Sequence, residues 1–190
     1  MTPEFIYDKT YSDTTFDLNA ISFKEFENCK FINCDFTQCS FLATLFIDSD
    51  FINCNFKEAA INYVGLRSCH FNQCNFTNVN FAQIDQTIYE FTFTDCNLEF
   101  AQFYGLKLKK QLFTNCSLIS ADFMETDLTM AMFDNCNLYR AVFTKAIAER
   151  ADFYTSYNYD IDPQSTKLKK AIFSKDGLAG LLSKHQLVLK

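Results

Sequence analysis

The sequence predicts an all-β fold, a parallel β-helix with square coils, on three observations. The hexapeptide Phe31-Ile-Asn-Cys34-Asp-Phe36 returns as Phe51-Ile-Asn-Cys54-Asn-Phe56, Phe71-Asn-Gln-Cys74-Asn-Phe76, Phe93-Thr-Asp-Cys96-Asn-Leu98, Phe113-Thr-Asn-Cys116-Ser-Leu118 and Phe133-Asp-Asn-Cys136-Asn-Leu138, a period of about twenty residues that marks a solenoid. Inside it runs a period of five, with a large apolar residue, the centre, at every fifth position and a small residue two places earlier. Finally, 4 Gly and 2 Pro are too few to supply the turns of an ordinary β-sandwich.

A period of five matches neither the 3.6 of a helix face nor the 2.0 of a strand. It suits a chain that turns a corner every five residues, pointing one large and one small side chain inward on each short side. Four sides make twenty residues, so one coil is a square, and coils about 4.8 Å apart pair their backbones with those above and below. We expect residues 1–13 to form an N-terminal cap, residues 14–174 to form about eight coils, and residues 175–190 to form a short helix and strand that cap the last coil or join two copies.

Within the coils, Phe31, Phe51, Phe71, Phe93, Phe113, Phe133, Phe153 and Phe173 fall in one column and form the expected core. Each fully buried ring contributes about 1.5–3 kcal/mol before chain entropy is set against it. Between Phe81 and the next centre, Ile88, the step is seven rather than five, so an outward bulge is expected within 82–86.

All 9 cysteines lie two residues before a centre, the small inward position. Cys34, Cys54, Cys74, Cys96, Cys116 and Cys136 share one column, with Cys29, Cys39 and Cys69 on other sides. Stacked one per coil they do not converge as four zinc ligands must, so they read as small buried hydrophobes. An odd number of cysteines and an N-terminus without a signal-peptide pattern argue for free thiols and a cytoplasmic protein.

The histidines, His70 and His185, lie outside any metal or haem motif, and no nucleophile-elbow, Walker or dinucleotide motif occurs. A filled square coil offers flat walls rather than a water-excluding pocket. The expectations are therefore no catalytic residue, no metal, no cofactor and no small-molecule substrate. No apolar run is long enough to cross a membrane as a helix, so no membrane association is expected.

Charge is unevenly spread. The net charge is −6, but residues 1–100 carry 14 acidic and 5 basic residues while residues 101–190 carry 9 and 12. Two readings stay open: a solvated surface, or a bipolar wall with Glu25, Glu27, Asp48, Asp50 and Glu58 as its acidic part and Lys107, Lys109, Lys110, Lys167, Lys169 and Lys170 as its basic part. Direct nucleic-acid binding through these lysines is disfavoured by the negative total. In the tail, Leu178, Leu181 and Leu182 have helical spacing and Leu187-Val-Leu189 reads as a strand. These leucines exceed what covering one small coil needs, and a homodimer is expected through Leu178, Leu181, Leu182, Leu187 and Leu189.

Ala121-Asp-Phe123, Ala151-Asp-Phe153 and Cys136-Asn-Leu138 are similar to the Ala-(Asp/Asn)-Leu-x-x consensus of the pentapeptide-repeat family, and the register extends over about residues 14–173. The resemblance implies a right-handed quadrilateral β-helix. In length and layout the chain further resembles the quinolone-resistance branch of that family. This implies a homodimer joined by the C-terminal helix and strand, and DNA gyrase and topoisomerase IV as partners, bound by an acidic surface that stands in for duplex DNA. A scaffold for an unrelated protein partner is the alternative.

Overall fold

The computed structural model describes residues 3–185 and 187, arranged as two compact units, Met1–Leu98 and Glu99–Lys190. Each is built from coils of a right-handed quadrilateral parallel β-helix.

In the first unit the strands are β1 (Glu4–Tyr7), β2 (Thr10–Ser12), β3 (Lys24–Glu27), β4 (Lys30–Ile32), β5 (Leu45–Ile47), β6 (Asp50–Ile52), β7 (Gly65–Arg67), β8 (Cys69–Asn72) and β9 (Phe91–Thr94). They form two parallel walls. One runs β1-β3-β5-β7 and sets Ile6, Phe26, Phe46 and Leu66 in register. The other runs β2-β4-β6-β8-β9 and sets Tyr11, Phe31, Phe51, Phe71 and Phe93 in register. A third wall is held by single bridges linking Thr15, Asp35, Asn55, Asn75 and Asn97. The second unit repeats the plan with β10 (Leu112–Thr114), β11 (Met132–Asp134) and bridges such as Lys107 to Asp127 and Asp127 to Ile147.

The segment expected as an N-terminal cap is corrected by the pairing: β1 and β2 are themselves two sides of the first coil, in register with β3 and β4. The sequence reading missed it because Ile6 and Tyr11, which keep the period of five, replace the phenylalanines found later.

Rings stack along each column and meet edge to face across columns. Phe31 lies 4.8 Å from Phe51 at an interplanar angle of 7°, and 5.5 Å from Phe36 at 67°. In the second unit Phe113, Phe133, Phe153 and Phe173 stack at 4.9–5.0 Å. Both arrangements are favoured by the ring quadrupole. The space left among Phe41, Phe46, Phe51, Phe56 and their neighbours is about 10 Å³, at the lower limit for one water.

The small inward position has a second role. Cys54 Sγ donates to the Phe31 carbonyl at 3.3 Å, Cys74 Sγ to Phe51 at 3.4 Å, and Cys136 Sγ to Phe113 at 3.4 Å. Thr126 Oγ1 and Ser156 Oγ donate to Phe103 and Phe133 in the same way, at 2.8 and 2.7 Å. Cysteine, threonine and serine therefore fill one slot because each is small and each carries a donor for a carbonyl sealed from water. All nine thiols are free and buried.

The corners explain how the chain turns with so few glycines. Two residues after almost every centre the backbone is left-handed, with φ of 54° at Asp8, 52° at Asn28, 59° at Tyr63, 54° at Asn115 and 57° at Arg140. A non-glycine residue there costs about 1 kcal/mol. Asn and Asp tolerate it best, and at one corner they link successive coils: Asn33 Nδ2 donates to Asp13 Oδ1 and Asn53 Nδ2 donates to Asn33 Oδ1, both at 2.9 Å. The acidic or amide residue just before a centre serves the same turn. The carboxylate of Asp122 accepts the Met124 amide at 2.8 Å and that of Asp152 the Tyr154 amide at 2.8 Å, which is why Asp or Asn recurs there.

Two irregularities depart from the sequence reading. The extra residues lie beyond Asp85, meeting the expected 82–86 only at Gln86: the Asp85 amide still donates to the Val64 carbonyl at 2.9 Å, but the next such bond runs from Glu90 to Leu66. Residues 86–89 bulge outward, and Ile88, expected as a centre, is 59% exposed. Its place is taken by Phe91, buried in register with Cys69. In the second unit Asn158 and Pro163 occupy two centre positions, and the buried Tyr159 and Ile161 fill the interior instead.

Candidate functional site

With the interior filled, chemistry and recognition belong to the outer walls. Clefts of about 470 Å³ at Asn62, Tyr63 and residues 82–86, and about 630 Å³ at Lys145, Glu149 and residues 163–169, open onto those walls. His70 stands on β8, its Nδ1 2.9 Å from Thr92 Oγ1, and His185 is the last residue of a short 3-10 helix in the tail; neither lines these clefts. Among the described residues no group of His, Cys, Asp or Glu could hold a metal ion.

Burial pushes the thiols of Cys39 and Cys69 up to about 12. The hydrogen bond with Cys74 lowers the Cys54 thiol, whereas burial first and that hydrogen bond second raise Cys74. Burial also raises the thiol of Cys34. The hydrogen bond with Cys116, then burial, likewise raises Cys136. Such thiols are poor nucleophiles.

The five acidic residues singled out from the sequence are not aligned on one wall. Glu25 and Glu27 flank Phe26 on β3, while Asp48 sits at the left-handed corner that follows β5. Asp50 lies on β6 with Lys30 Nζ 3.6 Å away. Glu58 is at a different left-handed corner, 3.9 Å from Lys57. The period of five carries any residue pattern around the square, so nearness in sequence did not give a common face. Of the basic residues, Lys107 and Lys167 share a column with Asp127 and Ile147 between them, and Lys109 pairs with Asp127 at 3.2 Å.

The walls also carry side chains the charge analysis overlooked. Phe5 is 73% exposed, Tyr7 61% and Tyr63 76%. In the second unit Phe100, Tyr139, Tyr154 and Tyr157 are exposed, with the Arg140 guanidinium 5.1 Å from the Tyr139 ring. The signal was available, since each lies off the centre positions.

The tail forms two 3-10 helices, Asp176–Leu181 and Ser183–His185. Gly177 and Gly180 lie against Tyr159 so closely that a Cβ on either would collide with it. The Ile161 amide donates to the Gly180 carbonyl at 3.0 Å, and Lys184 Nζ reaches Asp162 Oδ2 at 2.8 Å. Lys184 and the Gln164 amide hold the Asp162 carboxyl below its usual range. With the glycines inward, Leu178, Leu182 and Leu187 are exposed and Leu181 is half-buried. Of the expected strand, Val188 and Leu189 lie outside the described residues.

Two family models match the chain, "Pentapeptide repeats (8 copies)" over residues 25–60 and "Pentapeptide repeat region" over residues 64–143; together they span more than half of it. No curated protein sequence matches. Among solved structures, a trypsin-treated variant of QnrB1, a plasmid-mediated fluoroquinolone resistance protein, aligns over 98% of this chain and 100% of its own, at 18% identity and a TM-score of 0.51. Full-length QnrB1 aligns over 96% and 100%, at 17% identity and a TM-score of 0.45. HetL, a pentapeptide repeat protein involved in heterocyst differentiation regulation from the cyanobacterium Nostoc, aligns over 91% and 87%, at 12% identity and a TM-score of 0.38. The family models, the twenty-residue register and the likeness in fold to the trypsin-treated QnrB1 agree: this chain belongs to the pentapeptide-repeat family, and its fold resembles that of QnrB1.

Proposed function

We propose that the protein is a non-enzymatic interaction protein that works as a homodimer in the cytoplasm and binds a protein partner through the outer walls of its coils. The observation that carries this reading is the division of labour across the wall. Centres and small positions are consumed by packing, and exposed rings such as Phe5, Tyr7, Tyr139 and Tyr154 stand outside it without a packing role. Aromatic side chains of this kind are enriched where proteins meet. Nine free, buried thiols suit a reducing compartment, and the exposed Leu178, Leu182 and Leu187 supply an apolar face for a second copy.

The first partner to test is DNA gyrase or topoisomerase IV, on the family likeness and the 14 acidic residues among the first 100. Supercoiling by purified gyrase, and drug-induced cleavage in the presence of a fluoroquinolone, are measured with the protein added. A change in either at micromolar protein supports topoisomerase binding. Both unchanged rejects it and leaves a scaffold for another protein. The scatter of Asp48, Asp50 and Glu58 over separate walls and corners favours that second reading over mimicry of a regular phosphate array, one charge per ~1.7 Å.

A further inference from the structure

The wall made by β1, β3, β5 and β7 presents two outward columns, one on each side of its buried centres. The first is Phe5, Glu25, Leu45, Gly65 and the second Tyr7, Glu27, Ile47, Arg67. Each column therefore places a carboxylate between an exposed aromatic ring and a half-buried aliphatic side chain. Lys24, next to Glu25 in the chain, is engaged by Glu4 at 3.4 Å, Arg67 is separated from Glu27 by Ile47 in the second column, and among the described residues neither Glu25 nor Glu27 has an ion-pair partner. Tyr63, at a corner preceding β7, extends the exposed aromatic surface.

From this arrangement we propose that the wall is a docking site for an extended segment of a partner protein carrying two arginines two residues apart. Glu25 and Glu27 lie two residues apart on one strand, about 6.8 Å, and an extended Arg-x-Arg segment offers its guanidinium groups at the same spacing. A guanidinium forks onto a carboxylate and also stacks on an aromatic face, so Phe5 and Tyr7 beside the carboxylates select arginine over lysine. The aliphatic stems lie along Leu45 and Ile47.

The size of the wall selects a short segment rather than a second copy of the chain. Four strands about 4.8 Å apart, each contributing about four residues of 3.3 Å, cover on the order of 250 Å², against about 800 Å² per partner in a stable complex. The inference rests on the protein-binding reading above but not on a topoisomerase being the partner.

The test titrates the full chain with a blocked heptapeptide centred on Arg-Thr-Arg, followed by ¹H–¹⁵N correlation spectra. Shift changes confined to residues 4–7, 24–27 and 45–47 are expected. The pair Glu25→Gln with Glu27→Gln should weaken binding about tenfold or more, the equivalent of 1.4 kcal/mol. The pair Asp48→Asn with Glu58→Gln removes the same charge from the corners and should change it less than about twofold, since exposed charges at a distance are screened. A Lys-Thr-Lys peptide should bind several-fold more weakly. No binding at millimolar peptide overturns the proposal, and so does equal weakening by the two double variants, which would reveal only the overall field. Either result leaves the gyrase assay free to succeed or fail by itself.

Discussion

The ring of Phe91 stands 5.8 Å from that of Phe81, and this contact repairs the coil interrupted by the bulge at 86–89. Phe91 occupies a small inward position, opposite Cys69 in the ladder, yet its ring enters the interior that the missing centre would otherwise leave empty.

Phe91→Ala is therefore expected to cost about 3–5 kcal/mol, the cost of removing a buried ring without collapse of the space. Ile88→Ala, on the exposed bulge, should stay within about 0.5 kcal/mol. Urea denaturation midpoints measure both, and the opposite ranking would place Ile88 inside the coil.

Thiol reactivity follows from the buried columns. Native protein should give almost no fast reaction with a thiol reagent, and nine equivalents once denatured. The same thiols set a limit at alkaline pH. Folded-state values raised from 9.0 to about 12 at Cys39 and Cys69 mean that their contribution to stability is complete below pH 9 and is lost as pH rises towards 12, because the unfolded chain releases those protons first. Thermal midpoints across pH 8–11 should fall at the upper end, and Cys39→Ser with Cys69→Ser should reduce the fall.

Gly180→Ala should release the tail, since the new Cβ meets the backbone carbonyl of Tyr159, which cannot move without disturbing the coil. A loss of about 1–3 kcal/mol is expected, as for other overpacked sites. Limited proteolysis reads the result: cleavage after Lys175 or Lys184 should accelerate in the variant, and an unchanged rate would show that the docking tolerates a methyl group.

Light scattering should report twice the chain mass of 22.0 kDa. Leu178→Lys with Leu182→Lys should halve it while leaving the melting temperature nearly unchanged, because both side chains are exposed and Tyr159 is covered by the glycines instead. A monomer in the unaltered protein at high concentration would remove the tail from consideration as an interface.

Most of the interior was legible before the structure because each inward side chain repeats a local rule: Phe31, Phe51 and Phe71, and again Phe93, Phe113, Phe133 and Phe153, announce one another at a fixed step. Ile88 and Phe91 defeated that rule because the period says that residues have been inserted but not which neighbour will turn inward. Tyr159 was hidden similarly by Asn158 and Pro163. The corners were readable in hindsight from the Asn and Asp two places after the centres, as at Asp8, Asn28 and Asn53, although Tyr63 and Arg140 adopt the same φ without that mark. Surface function was the least legible part. Recognition depends on which residues become neighbours across coils, such as Phe5 with Glu25 and Leu45, and a charge tally taken along the chain mixes all four sides of the square.

Where Gly177 and Gly180 close on Tyr159, the chain also settles a question its interior leaves open. Each coil offers the next the same edge that it received, so packing within the walls fixes the identity of every layer but never their number. Only a segment whose backbone departs from the square can end the series. The small residues of the tail thus act as a stop that does not count: a block of twenty residues gained or lost upstream would leave the way the series ends unaltered, whereas a methyl group added at Gly180 would loosen the segment that ends it.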